Sequence, residues 1–163
     1  MAEQTAGVLT QYVGWDDFQH LLTKAIAPLS AQQLALRPAP HLRSVGENCL
    51  HIIGARARWC RLMGIGGERI TAFAQWDRPD MPDRAAAEIA SGLSDSWSVL
   101  RDALMTMTPA DLDDTFPNRY PDPGEPEVFT RGWILWHLLE HDIFHGGEIS
   151  LILGMSGLAG LGL

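Results

Sequence analysis

The sequence has 163 residues, of which 46% are apolar and 20% charged, and these values exclude a disordered chain and a fibrous repeat. Twenty acidic residues outnumber the twelve Lys and Arg, and the resulting formal charge of −8 disfavours binding to nucleic acid or to anionic lipid. We therefore expect one domain that spans residues 1–163 and binds small molecules.

The first predicted helix runs from about residue 5 to residue 27 and ends before Pro28. Its apolar residues recur at steps of three and four, as on one face of a helix. They are Val8, Tyr12, Trp15, Phe18, Leu22 and Ile26. No basic segment with an apolar core precedes this helix, so the sequence predicts a cytoplasmic protein without a secretory signal.

A connector, residues 29–40, separates the first helix from the second. Ser30 and Gln33 have the spacing of a capping box there, which predicts one helical turn. The second helix begins at Ser44, where Ser44 and Glu47 have the same spacing. It continues to about Met63, because three glycines follow within four residues.

The second predicted helix contains both cysteines of the chain, Cys49 and Cys60. Eleven residues of helix separate them by roughly 16 Å, which is beyond the reach of a disulfide. We expect two free thiols that pack as small apolar side chains in a reducing compartment.

The third predicted helix covers residues 83–107. Its apolar stripe consists of Ile89, Leu93, Trp97, Leu100 and Leu104. Thr108 and Pro109 then suit the start of one further turn.

Residues 116–127 contain four prolines and predict a long loop. Since no strand pattern of useful length is present, the sequence predicts an all-α, up-down four-helix bundle.

Thr130 is the expected N-cap of the fourth helix, which covers residues 131–154. Placed on a heptad, its inward seam consists of Ile134, Leu138, His141, His145, Glu148, Ile152 and Met155. Three polar side chains thus occupy the middle of the seam, where leaving them unpaired would cost several kcal/mol.

The glycine-rich, uncharged end of the sequence is too short to span a bilayer, which needs about 20 apolar residues.

The polar part of this seam predicts a metal site. His141 and His145 lie one turn apart, so both imidazoles can bind one cation. His51, in the middle of the apolar second helix, is the natural third ligand. Three histidines leave a coordination position for water or substrate, as in catalytic sites. A single core histidine is more often a hydrogen-bonded residue than a ligand, but the paired spacing favours a metal site for the three together.

Other residues of the fourth helix have less certain roles in this interpretation. Glu148 is the candidate catalytic residue, and it could be a general base, a fourth ligand or an acceptor for an imidazole N–H. His137 lies about 80° around the helix from His145, which places it beside the site. Gly146 and Gly147 indicate either close approach of another helix or a local distortion.

Two segments resemble motifs of the DinB/YfiT-like metalloenzyme family. Residues 133–149 read WILWHLLEHDIFHGGEI, similar to the last helix of that family, and residues 42–53 read LRSVGENCLHII, similar to its second helix. The resemblance implies one divalent ion held by His51, His141 and His145, with zinc or nickel expected first and manganese or iron as alternatives. The family often has glutamine where this chain has Glu148.

The family includes bacillithiol transferases and mycothiol-dependent isomerases. The resemblance therefore implies a metal-dependent S-transferase or isomerase that uses a low-molecular-weight thiol and a small electrophilic substrate. A non-catalytic, stress-response metal-binding protein is one alternative. A hydrolase that activates water is another, because the spacing of His141, Asp142 and His145 is similar to that of zinc proteases.

Two further expectations concern surfaces. Tryptophan side chains are candidates for the walls of a substrate pocket, although aromatic residues at helical spacing are more often core. These are Trp59, Trp76, Trp133 and Trp136. The apolar tail favours a homodimer.

Overall fold

The computed structural model describes residues 8–118, 123–124 and 126–162. Its helices are α1 (Val13–Ile26), α2 (Ala31–Leu34), α3 (Val45–Leu62), α4 (Gly67–Thr71), α5 (Ala86–Thr106) and α6 (Arg131–Met155). Two 3-10 helices cover Val8–Gln11 and Pro109–Asp113, and two strands are β1 (Thr115–Pro117) and β2 (Val128–Thr130). The predicted all-α class is confirmed.

The helix starts follow the capping residues that the sequence contains. Ser30 and Gln33 close a reciprocal capping box at α2, and Ser44 and Glu47 close one at α3. The hydroxyl of Thr130 accepts from the backbone N–H of Trp133 at the start of α6. These three predicted starts are therefore confirmed.

Two predicted helices begin later than expected. The first is divided into the 3-10 helix Val8–Gln11 and α1, and residues 5–7 of the prediction lie outside the described residues. The third begins at Ala86, three residues after the predicted position, where the Glu88 carboxylate accepts from the backbone N–H of Ala85. The 3-10 helix Pro109–Asp113 forms the turn predicted from Thr108 and Pro109.

The expectation of a loop without strands was wrong at both ends of the proline-rich segment. β1 and β2 pair antiparallel, with Phe116 opposite Phe129. Each strand has three residues, which is too short for an alternating pattern to be recognised. Phe129 is buried and stacks on Trp133 of α6, so the hairpin is held by an aromatic contact.

Helix α4 was also missed, and it follows a turn at Gly66, whose φ is +81°.

The four long helices pack around one apolar core. Helix α3 lies against α5 and α6, and α1 lies against the same two helices on the other side. All four contribute fully buried side chains to the core, among them Leu22, Ile52, Leu93 and Ile134. This packing places the middle of α3 directly beside the middle of α6, which is what a site shared by these helices requires.

The predicted seam of α6 is correct for most of its length and wrong at its end. Ile134, Leu138, His145 and Ile152 are buried, but Met155 is 66% exposed. A straight α-helix drifts by about 20° per heptad, so three heptads rotate the seam by roughly 60° away from the core. The tail does pack irregularly against α6, with Leu161 buried.

Within residues 8–118 and 126–162, none of the helices combines the length and the apolar character that crossing a bilayer demands.

The adjacent glycines of α6 have different surroundings, which separates the two explanations left open by the sequence. A Cβ atom on Gly146 would overlap the ring of Phe18 in α1 and press on Leu161, whereas a Cβ atom on Gly147 would meet nothing within 4 Å. Close approach of a neighbouring helix therefore accounts for Gly146.

We expect Gly146→Ala to destabilise the protein by about 1–3 kcal/mol, because the added methyl group overpacks the contact with Phe18. The matched variant Gly147→Ala should be neutral or stabilising by up to about 1 kcal/mol, since alanine favours the helix. Urea unfolding of both variants, with EDTA present, measures these differences. Equal effects of the two substitutions would contradict this explanation.

Candidate metal centre

The three predicted ligands lie together between α3 and α6. One ligand atom from each of His51, His141 and His145 falls within 4.8 Å of the others. Nε2 of His51 and Nε2 of His141 are 3.1 Å apart. The i, i+4 spacing on α6 and the packing of α3 against α6 bring the rings into this group.

Two of the histidines have a carboxylate behind the ring. Nδ1 of His51 lies 3.0 Å from Oδ2 of Asp77, and Nδ1 of His145 lies 2.7 Å from Oε2 of Glu148. A carboxylate only accepts, so each Nδ1 carries the proton and each Nε2 presents a lone pair. Carboxylate–histidine pairs of this kind orient the metal ligands in zinc proteins.

The donor set suits a divalent transition metal. Imidazole nitrogens bind zinc at about 2.0–2.1 Å, and two nitrogens of one tetrahedral ion then lie roughly 3.3 Å apart. The 3.1 Å between the Nε2 atoms of His51 and His141 is close to that value. Imidazole ligands suit zinc, nickel, iron and copper, so the set alone selects no single metal.

Asp77 was not found from the sequence. It lies between α4 and α5, 26 residues after His51, and both of its oxygens accept from Arg58 at 2.7 and 2.8 Å. The two ionic hydrogen bonds and the one from His51 keep the pKa of Asp77 below its ordinary value, against the effect of burial. No spacing rule connects a loop aspartate to a helix histidine, so only the fold brings them together.

The structure places Glu148 behind His145 and leaves its side chain 41% exposed. Its Oε2 atom holds the His145 ring, as the acceptor role predicted, while no contact fixes its Oε1 atom within the described chain. Glu47 closes the capping box of α3 and also pairs with Arg37, so its position needs no role at the site.

The environment keeps the free imidazoles of His51 and His141 neutral. Burial, together with the neighbouring rings of His145 and His51, lowers the pKa of His141 to about 3. Burial also lowers the pKa of His51, the charge of Arg43 adds to this effect, and the hydrogen bond to Asp77 opposes it. Neutral imidazole is the form that binds a metal, so protons compete weakly for the site near neutral pH.

These shifts predict how the stability of the metal-free protein depends on pH. The unfolded chain takes up a proton at each histidine near pH 6.5, whereas folded His141 takes one up only near pH 3. The free energy of unfolding therefore reaches its maximum above about pH 6.5 and decreases as the pH drops. Each histidine contributes at most about 1.4 kcal/mol per pH unit to this decrease. Urea unfolding with EDTA between pH 5 and pH 7.5 measures the slope, and His141→Asn should reduce it. A stability that rises on acidification would contradict the assignment.

A buried ion pair lies directly under the site. Arg56 of α3 and Asp142 of α6 have no exposed side-chain surface and meet at 2.7 Å. Trp15 and Gln19 of α1 also donate to Asp142, at 2.7 and 2.9 Å. Gln19 accepts from Arg56 as well, and Arg56 also donates to the Leu93 carbonyl and the Ser96 hydroxyl of α5, so the network joins all four long helices.

This network changes the interpretation of Asp142. The hydrolase alternative requires its carboxylate to act on a water at the metal, as the glutamate of zinc proteases does. The carboxylate instead points into the core and accepts from Arg56, Trp15 and Gln19. Asp142 is therefore a structural residue, and the protease-like spacing was misleading.

A cavity of about 710 Å³ opens at His51. The connector residues 37–43 form one wall, residues 76–83 form the other, and Leu50, His51 and Arg58 of α3 form the floor. Trp76 lines this cavity as predicted, whereas Trp59 lines a second cavity of about 530 Å³ near the β hairpin. Trp133 and Trp136 line neither and are 39% and 54% exposed.

The remaining histidines and the cysteines lie outside the group. His137 stacks on Trp133 with ring centroids 5.1 Å apart, beside the site as predicted. His20 and His41 are exposed. Cys49 and Cys60 are free and buried, as predicted, and burial raises the pKa of each thiol to about 12. Neither cysteine is a thiolate near neutral pH.

Comparison with known proteins agrees with this architecture. No curated protein sequence is significantly similar to the chain. A DinB-like protein from Bacillus cereus has the same fold, with a TM-score of 0.74 at 20% sequence identity, over 98% of this chain and 99% of that one. The family model of the DinB superfamily matches residues 15–149, which include all three histidines of the site. The chain therefore belongs to the DinB superfamily.

Proposed function

We propose that this protein is a divalent-metal-dependent enzyme that transfers or isomerises small molecules with the help of a thiol. One observation carries the proposal: the Nδ1–H groups of His51 and His145 are each held by a carboxylate, which leaves their Nε2 lone pairs facing a group that also contains the ring of His141. Three such nitrogens fill only part of a coordination sphere. The cavity at His51 gives a small molecule access.

The bound ion would lower the pKa of a thiol or water and so supply a nucleophile at neutral pH. In S-transfer, the sulfur forms a bond to the electrophilic carbon, and the leaving group departs with the electrons of the broken bond. The thiol proton needs an acceptor, and we propose Glu148 for this role. Its Oε2 atom holds His145, and its exposed side chain leaves Oε1 for the proton.

The thiol would come from outside the chain. Both cysteines are buried, with thiol pKa values raised to about 12, and neither is among the residues of the cavity. A low-molecular-weight thiol is the cosubstrate that the family resemblance implies. Free buried thiols also agree with the cytoplasmic location that we propose.

The first test combines metal analysis with an activity screen. Protein purified without added nickel, then loaded in turn with zinc, nickel, manganese or iron, should bind one ion per chain. We expect conjugation of small thiols to an activated aryl halide, and this activity should disappear with EDTA and return with metal. Metal binding without turnover of any thiol would favour the non-catalytic alternative, and ester cleavage without thiol would favour the hydrolase.

We also propose a homodimer, for a reason different from the apolar tail. Leu161 of the tail is buried in its own chain. Large apolar side chains lie exposed on the outer side of α6 instead. They are Trp136, Ile143, Phe144, Leu151 and Met155. Analytical ultracentrifugation tests the dimer, and Leu151→Glu should shift it towards monomer.

A further inference from the structure

The cavity at His51 differs in charge from the rest of the protein. Its walls contain four arginines, namely Arg37, Arg43, Arg58 and Arg78, and three acids, namely Glu47, Asp77 and Asp83. The whole chain, in contrast, has an excess of eight acidic residues over basic ones. A positively charged cavity in an acidic protein attracts anions to this one place.

Two of the four arginines are already paired inside the protein. Arg37 pairs with Glu47 at 3.2 Å, and Arg58 pairs with Asp77 at 2.7 Å. These pairs account for two of the acids in the cavity and hold the two walls in place. The charges of Arg37 and Arg58 are therefore compensated within the protein.

The guanidinium groups of the other two arginines, Arg43 and Arg78, have no partner among the described residues. The carboxylate of Asp83 is the one acidic side chain of the cavity that is also unpaired within the described ranges. Both line the cavity, Arg43 as part of the connector and Arg78 as part of the segment 76–83. Arg78 follows Asp77, which holds His51, and the charge of Arg43 acts on His51.

The rest of the lining is apolar enough for an organic ligand. Leu42, Leu50, Trp76 and Met81 contribute apolar surface to the same cavity. Guanidinium groups bind carboxylates in a planar, bidentate geometry, which gives both affinity and orientation. The cavity therefore combines groups for an anionic end and for an apolar body.

We propose that this cavity binds a carboxylate of the substrate through Arg43 and Arg78, so that the substrate is a small carboxylic acid whose other end reaches the ion at His51. This assignment rests on the proposed function, because only an enzyme has a substrate. Binding of the carboxylate itself does not require catalysis. It names a specificity site for a reaction whose chemistry occurs at the histidines.

The probe is succinate, titrated calorimetrically into the full chain in its zinc-loaded and metal-free forms. Measuring both forms separates binding at the arginines from direct coordination of a carboxylate to the ion. We expect binding in both forms, weakened by added NaCl because the contact is ionic. Succinamide, which has the same length without charge, should bind at least tenfold more weakly.

Arg43→Gln and Arg78→Gln should each weaken succinate binding about tenfold, the loss expected for one charge-assisted hydrogen-bonded contact. Arg61→Gln is the matched control, because Arg61 is an exposed arginine of α3 outside this cavity, and it should change the affinity less than twofold. Arg43→Lys keeps the charge and should retain part of the affinity. Circular dichroism verifies that each variant is folded.

The outcomes separate this proposal from the proposed function. Equal affinities of the wild type and both glutamine variants would overturn the carboxylate site, and so would tighter binding of inorganic phosphate than of succinate. His145→Ala should lose the metal but keep the affinity for succinate in the metal-free form. If the chain binds succinate through both arginines but binds no metal, the carboxylate site stands and the proposed enzyme fails.

Discussion

His145→Ala is expected to abolish stoichiometric binding of a divalent metal. The substitution removes one of three ligand nitrogens and leaves two, which hold an ion poorly at neutral pH. Titration of zinc in competition with a chromophoric chelator should give one site per chain in the wild type and no competing site in the variant. Activity in the thiol assay should be lost with the metal.

Two further variants make this test specific. Asp77→Asn retains all three ligands but removes the carboxylate behind His51, so zinc affinity should fall by about 10–100-fold rather than disappear. His20→Ala removes an exposed imidazole of α1 that lies outside the group, and it should leave the affinity unchanged. Unchanged zinc binding by His145→Ala would show that the ion is bound elsewhere.

Asp142→Ala is expected to destabilise the metal-free protein by about 3–5 kcal/mol. The change leaves the guanidinium of Arg56, which has no exposed surface, without its counter-ion in the core. It also removes the acceptor of Trp15 and Gln19. Proteins of this kind are stable by only about 5–15 kcal/mol, so much of the variant should be unfolded at moderate urea concentrations.

The matched control is an exposed ion pair. Arg69 and Asp102 lie 3.8 Å apart with both side chains more than half exposed, and Asp102→Ala should change the free energy of unfolding by less than about 0.5 kcal/mol. The double variant Arg56→Met, Asp142→Leu should recover much of the lost stability, because it replaces the pair with apolar groups. A loss of less than 1 kcal/mol in Asp142→Ala would mean that water reaches Arg56.

The sequence was sufficient for the four long helices and for the three histidines that the structure brings together. Capping residues marked the starts of α2, α3 and α6, and the i, i+4 step marked His141 and His145. His51 was indicated by its position in the middle of the apolar second helix, and the resemblance to the DinB motif agreed with it. Each of these signals lies within about one or two helical turns.

Features that depend on distant contacts were not predictable in this way. The strand pair joins residues on either side of a long loop, and Asp77 reaches His51 from a different part of the chain. Asp142 was the most instructive error, since its neighbours in sequence suggested chemistry while its neighbours in space are Arg56 and Trp15. A residue that is next to a histidine in the sequence points to the site or to the core, depending on the side of α6 on which it lies.

The separation of the ligands along the chain has a consequence for biosynthesis. His141 follows His51 by 90 positions in the sequence, so a ribosome adding about 5–20 residues per second passes His51 roughly 5–20 s before it reaches the last two histidines of the site. During that interval the nascent chain contains only one of the three imidazoles of the site, His51, and therefore no complete ligand set. Metal binding at this site would consequently come late in synthesis, and the bound ion would then join an early helix to the final one.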